Sequence, residues 1–297
     1  MRKMCIRDMG RRSGKLNIAI ISSFLLFVFF TFPSARSLQY PWLPRQTEDL
    51  PIIRDIPVPV GFVRVSCSPQ SFAWWLRHLP LKTENNQVYL FNGRLKRNQE
   101  AHYRVIAMDV GKRDLQQCAD AVIRLRAEYL YFSKRFQDIH FNFTSGDRAD
   151  FQMWAQGYRP VVNGNRVDWK KRYFRPEPDF SYRNFRAYLN TVFTYAGSYS
   201  LSKELVPVRE ANDIRIGDVF IQGGFPGHAV IVVDLCVNPE TGQKLILLAQ
   251  SYMPAQEIHI LKNPTHHEIS PWYIVKKSGS LITPEWRFDW SDLKRFR

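Results

Sequence analysis

Three side chains in this sequence have the types and order of a thiol-based hydrolytic centre: Cys118, His228 and Gln250. A thiol with a pKa of ~8.5 is only a few per cent ionised at neutral pH, so a nucleophilic cysteine needs help. A histidine can take the thiol proton, and a neighbouring amide can hold the imidazole in one tautomer. Cys118 falls in the first turn of a predicted helix, where unpaired N–H groups and the helix dipole favour a thiolate. His228 heads a β-branched apolar run, and Gln250 stands near the end of the next. Each also has a plain structural reading. Cysteine is among the most buried residue types, a histidine at a strand end can bond a loop, and an amide can sit on a sheet ladder.

A second polar set lies within otherwise apolar segments: Glu128, His140, Asn142 and Ser145. Polar groups so placed need partners, so they either line a substrate-binding pocket or form a structural network. Asn142-Phe143-Thr144 is a formal glycosylation sequon, but it sits in a predicted strand. His266-His267-Glu268 lacks metal-ligand spacing. Neither a metal nor a cofactor is expected.

The elements that must position these groups are legible as periodicity. Leu115, Cys118, Ala119, Val122, Leu125, Tyr129 and Phe132 share one face of a helix over 115–133, with Asp120, Arg124 and Glu128 largely off it. Asp114 is the expected N-cap, with Gln117 completing a capping box. Ile139–Phe143 alternates as a strand, and Ser145 is placed to cap a helix running to Trp154. Ser68 is placed to cap a helix through Leu79, and 103–110 reads as a strand. Asn92-Gly93 and Asn163-Gly164 read as hairpin turns, and 182–196 as a helix ending at Gly197. Between Ile214 and Ile260, Gly217-Asp218, Gly227-His228 and Pro239–Gly242 bound three apolar runs. These predict antiparallel strands of a buried sheet, and 257–261 adds another.

Gly-Asp-Val-Phe at 217–220, Gly-His-Ala-Val-Ile at 227–231 and a polar residue on the following strand resemble the half-barrel of NlpC-type and CHAP-type cell-wall amidases. Those are papain-like cysteine peptidases, with the cysteine at a helix start and the histidine later on a strand. Cys118 before His228 has that order. The departure is that NlpC-type enzymes carry the nucleophile helix shortly before the Gly-Asp strand. Here that place belongs to 182–196, with Asn184 where the thiol would be. A wider resemblance rests on 114–122, 126–131, 139–146 and 248–256. It is to the bacterial domain-of-unknown-function family 4846, over residues ~61–290, and implies no activity.

The chain has 297 residues and a formal net charge of +15. Residues 1–37 hold seven Lys/Arg and one acidic residue, so the remainder carries +9. That charge suits anionic polymers or headgroups, or is simply a solvated basic surface. No basic helix interleaves with stacking aromatics, so nucleic acid is not an expected partner. Six cationic residues precede the apolar run Leu16–Phe32, followed by Ala35-Arg36-Ser37. This is a secretory signal or an uncleaved membrane anchor. Either exports the rest to the periplasm or exterior. Residues 38–60 hold five prolines and read as a linker. Cys67, Cys118 and Cys236 are an odd number for an exported protein, so at least one thiol is free or paired in trans.

The resulting expectation is one α+β domain over 61–297: an antiparallel, half-barrel-like sheet with packed helices, of papain-like or NlpC type, wrapped by its C-terminal tail. Two functions compete. One is a cysteine amidase or peptidase acting on cell-wall peptide. The other is a non-catalytic module that binds an envelope component on the same fold.

Overall fold

The computed structural model describes residues 40–43, 50–174 and 176–297. The leader at 1–37 lies outside them. Among the described residues no helix is long and apolar enough to cross a membrane.

Burial on both faces organises this fold. In chain order the strands are β1 (Val63–Arg64), β2 (His102–Val105), β3 (His140–Asn142), β4 (Arg148–Asp150), β5 (Tyr158–Asn163), β6 (Arg166–Lys171), β7 (Val206–Pro207) and β8 (Val219–Gln222). They continue with β9 (His228–Val237), β10 (Lys244–Gln250), β11 (His259–Leu261), β12 (Tyr273–Ile274), β13 (Ser280–Ile282), β14 (Arg287–Asp289) and β15 (Leu293–Arg295). The helices are α1 (Phe72–Arg77), α2 (Cys118–Phe132), α3 (Phe151–Ala155), α4 (Tyr182–Tyr195) and α5 (Ser198–Glu204). A nine-stranded sheet runs β2-β11-β10-β9-β8-β15-β7, with β1 on β9 and β12 on β10. Its pairings are all antiparallel. Three hairpins, β3–β4, β5–β6 and β13–β14, stand apart from it.

Strand β9 is central and buried along nine of its ten residues. Ala229, Ile231 and Val233 face a core built with α1, α2 and α4. Val230 and Val232 face a second core of tail residues, among them Leu281, Phe288 and Trp290. A strand covered on both sides reads as a continuous apolar run rather than an alternating one, which is what 228–237 shows. Residues of the C-terminal tail form this second layer, and β15 completes it by pairing with β8.

The pairing of β9 with β10 slips between Leu247 and Leu248, leaving Val233 unpaired. Such a bulge reverses the alternation, so Leu235 faces the tail core and Cys236 the helix core. At the bulge the Asp234 carboxylate is fully buried and binds Arg64 Nε at 2.7 Å and the Arg77 guanidinium of α1. Arg77 also donates to Val65 O, Leu235 O and Cys67 Sγ. One carboxylate thus ties α1 and β1 to the central strand.

Several local expectations shift. Gln117, not Asp114, is the N-cap of α2, and the Asp120 carboxylate bonds back to Gln117 N–H at 3.1 Å. Asp114 instead accepts from Gln117 Nε2 and Ala255 N–H. Ser71 rather than Ser68 caps α1. The strand expected over 103–110 is β2 alone. Ser145 caps no helix: it sits in the β3–β4 turn, and Asp150 precedes α3. The expected polar face of α2 is buried too, with Asp120, Arg124 and Glu128 exposed by only 6%, 0% and 1%. Periodicity marks where apolar groups point; Arg124 and Glu128 are covered by partners outside the helix, Asp109 and Tyr182, and Asp120 by the N-cap of its own helix. The second half of the Pro-rich stretch is also built into the domain. Ile53 and Ile56 are core residues, and Ile53 N–H donates to Leu79 O. Cys67, Cys118 and Cys236 are all free thiols.

Removing one partner of a buried ion pair leaves an uncompensated charge. Asp234→Ala should therefore destabilise the domain by about 3–5 kcal/mol, measured by urea unfolding, whereas Arg148→Ala at the exposed Arg148–Asp150 pair should cost under about 1 kcal/mol.

Candidate active site

The N-terminus of α2 rests on the start of β9. Cys118 is the first helical residue, and the backbone N–H groups of Ala119 and Ala229 point at its sulfur. Ala229 directly follows His228, so the thiol lies against the head of the central strand. The helix that presents its N-terminus there is α2, more than a hundred residues upstream in sequence. Helix α4 does not: Asn184 accepts from Trp154 Nε1 at 2.9 Å and donates to Asp179 O at 2.7 Å, as a structural amide.

His228 and Gln250 occupy facing ends of adjacent strands, with His228 Nε2 2.8 Å from Gln250 Oε1. The amide orientation follows from its other bonds. Gln250 Nε2 donates to Glu285 Oε2 at 2.8 Å and lies 3.4 Å from His259 Nε2. His259 Nδ1 must donate to the Glu257 carbonyl, so His259 Nε2 is an acceptor. Both amide hydrogens are therefore used, and Oε1 faces His228. It follows that His228 Nε2 carries the hydrogen and Nδ1 is left with its lone pair, the form required of a base. Glu285 is held in turn by Lys96 Nζ at 2.6 Å.

The imidazole is boxed by aromatic rings. Tyr252, Trp286 and Phe288 have centroids 4.8, 5.2 and 5.8 Å from it. Burial pushes His228 down to about 4, against the opposing pull of its bond to Gln250. Burial likewise pushes the Cys118 thiol up to about 11, with the nearby Asp120 adding to the rise. At neutral pH the thiol and the imidazole are both neutral, and among the described residues no hydrogen bond joins them.

In front of Cys118 runs a groove of about 730 Å³. Its walls come from the α2 start, the α4–α5 junction and the loops at 224–227 and 253, with Phe225 and Met253 exposed on the two loops. Gly227 is forced by this packing: a Cβ there would meet Ser198 Oγ at 2.4 Å and Gln222 O at 2.8 Å. Among the described lining residues Asp114 and Asp120 are the charged ones, and no cation joins them. Asp120 keeps its second oxygen, Oδ1, buried and unpartnered, and burial raises its pKa well above the usual carboxylate range.

The second predicted set is divided by the fold. Glu128 accepts from Arg124 Nε at 3.1 Å and Tyr182 Oη at 2.8 Å inside a network that includes Asp109 and Gln116. His140 and Asn142 line a different cleft, beside the far end of α2. Ser145 bonds Asp147 in an exposed turn. Tyr252, Glu285, Trp286 and Asp120 are the site residues that sequence reading passed over. Tyr252 lies two residues beyond Gln250 and was within reach. Glu285 and Trp286 sit in the irregular tail, which has no periodicity to mark them. Among the described residues no cluster of His, Cys, Asp or Glu could hold a metal.

The family model described as Domain of unknown function (4846) matches residues 52–295. No curated protein and no solved structure matches the chain. The resemblance of 214–260 to the NlpC-type and CHAP-type amidases thus draws no support from these comparisons.

Because an unfolded histidine titrates near 6.5 and folded His228 near 4, the unfolded chain binds the extra proton in this window. Stability should therefore fall as pH drops from about 6.5 towards 4, and the slope should shrink in His228→Gln. Urea midpoints across pH, with ¹⁵N NMR reading an Nε2-protonated neutral ring at pH 6, check both points.

Proposed function

The chain belongs to that family of unknown function, and on this premise we propose that it is a cysteine amidase or peptidase with a papain-like site. Cys118 is the nucleophile, His228 the base and Gln250 the residue that orients it. The observation that carries this reading is the locked hydrogen-bond chain Glu285–Gln250–His228. It directs the Nδ1 lone pair away from Gln250 while Ala229 N–H, one residue on, touches the Cys118 sulfur. A histidine that only braced the fold would gain from bonding through both ring nitrogens, whereas His228 bonds through Nε2 alone among the described residues.

The chemistry runs from a neutral pair. His228 Nδ1 takes the thiol proton as Cys118 Sγ attacks the substrate carbonyl carbon, so the desolvated thiol need not ionise beforehand. The protonated imidazole returns that proton to the leaving nitrogen as the C–N bond breaks. Water, deprotonated by Nδ1, then cleaves the thioester and restores the thiol. The groove carries two carboxyls and no cation among its described lining residues, which suits a substrate presenting N–H donors, as a peptide does. Cell-wall peptide is the proposed substrate. It accords with a leader that would export the chain, its N-terminal segment contacting the membrane.

A second reading is favoured by one observation. Cys118 is only 7% exposed, and its thiol is the less reactive for being pushed up to about 11. On that reading the groove binds an envelope component without cleaving it.

If the hydrolase reading holds, Cys118→Ala and His228→Ala abolish release of amine groups from purified cell-wall peptide. Gln250→Ala lowers kcat by roughly 10²-fold by freeing the ring, within the range for general-base positioning. Turnover unchanged in Cys118→Ala sinks it. Saturable binding of the peptide, with no cleavage and no alkylation of Cys118 by iodoacetamide, would establish the binding module instead.

A further inference from the structure

A cleft of about 550 Å³ opens at the other end of α5, between the far part of α2 and β3. Ser198 and Tyr199 of α5 line the groove before Cys118, and Lys203 and Glu204 line this cleft. The two are one short helix apart, ~10 Å at 1.5 Å per residue.

Five cationic side chains line the cleft, Arg126, Arg135, Arg148, Lys203 and Arg297, against two acidic ones, Asp138 and Glu204. Both acids are already engaged. Asp138 accepts from Arg135 at 2.6 Å, and Glu204 accepts from Asn142 N–H at 2.9 Å while burial raises its pKa. Arg148 is paired with Asp150 beside the cleft, so five cations meet three carboxylates and an excess of two positive charges remains.

Arg126 shows this most plainly. Its guanidinium lies 5.2 Å from the ring centroids of Phe72 and Phe296 and 5.7 Å from that of Tyr129. These rings fix its plane and desolvate it. Among the described residues no side chain or carbonyl accepts a hydrogen bond from it. A guanidinium has five N–H donors in a fixed fork, and here they are open to a ligand in the cleft. Across the cleft stands the His140 ring, whose pKa burial lowers.

We propose that this cleft is a binding site for a phosphoryl group, held by Arg126 with Arg148 and Lys203 at its rim. The excess of two positive charges suits a dianion rather than a single carboxylate, and forked guanidinium donors match phosphate oxygens. The volume lies in the range of small-ligand sites and exceeds a bare ion, so the phosphoryl group is carried on a larger molecule. The site does not depend on chemistry at Cys118.

The test is calorimetric titration of the full chain with pyrophosphate, with acetate as a monoanion control. Pyrophosphate should bind, and acetate should not compete. Arg126→Met, which keeps an apolar stem against Phe72 and Phe296, should weaken binding by about tenfold or more, the scale of a charge-assisted hydrogen bond. Cys118→Ala should leave it unchanged. The His140 ring should titrate at higher pH with pyrophosphate present, by NMR. If Arg126→Met fails to fold, Arg148→Gln and Lys203→Gln carry the same comparison at exposed positions. Sedimentation with phosphatidylglycerol against phosphatidylcholine vesicles separates the sources: retention on the former without soluble binding assigns the phosphoryl group to lipid. Binding that is equal in Arg126→Met and wild type, equal competition by acetate, or no binding to either pyrophosphate or vesicles overturns the proposal.

Discussion

A ten-residue strand buried on both faces sets the terms for this molecule. Water cannot satisfy a polar group on such a strand, so each one must find its partner inside the protein. β9 carries two, His228 at its head and Asp234 at its bulge, and much of the structure is arranged to meet them. Asp234 draws in Arg64 and Arg77 and thereby fixes β1 and α1. His228 draws in Gln250, which draws in Glu285 and then Lys96. The same demand that stabilises the fold thus holds a buried imidazole in one tautomer at the head of the strand.

The two cavities differ in sign. The groove before Cys118 is lined by carboxyls alone among its described charged residues, in a chain whose net charge is +15. The cleft beyond α5 concentrates cations. A surface basic merely for solubility has no reason to separate its charges this way. Helix α5 lies between the two, with residues in both walls, and α2 contributes Cys118 to one and Arg126 to the other. Its burial on all sides, through the Arg124–Glu128–Tyr182 set, holds both residues on one rigid rod.

What the sequence by itself determined is the antiparallel run of strands at the centre of the sheet, β8 to β11. Runs such as Leu245–Ala249, closed by Pro239–Gly242 on one side, have β-branched or aliphatic content and turn chemistry that admit little else. The pairing of His228 with Gln250 was legible too, because adjacent antiparallel runs of that length bring their far ends together. Helix α2 was visible from its apolar period, though not its cap, since Asp114 and Gln117 are both competent caps and only the chain path chooses between them. The family was legible from its motifs, and the match over 52–295 bears that out.

Tertiary structure alone decided the rest, because it depends on contacts between segments far apart in the chain. Nothing local could bring Cys118 to Ala229 across a separation of more than a hundred residues, or show that α2 rather than α4 would do so. Glu285 reaches Gln250 from a tail with no period to read. Glu128, His140, Asn142 and Ser145 share a polar character in sequence, yet the fold sends one to the core, two to a basic cleft and one to a turn. Periodicity reports which side of an element is apolar. It carries no information about which distant carboxylate or guanidinium will cover the other side, and both the candidate site and the cleft are made of such distant pairs.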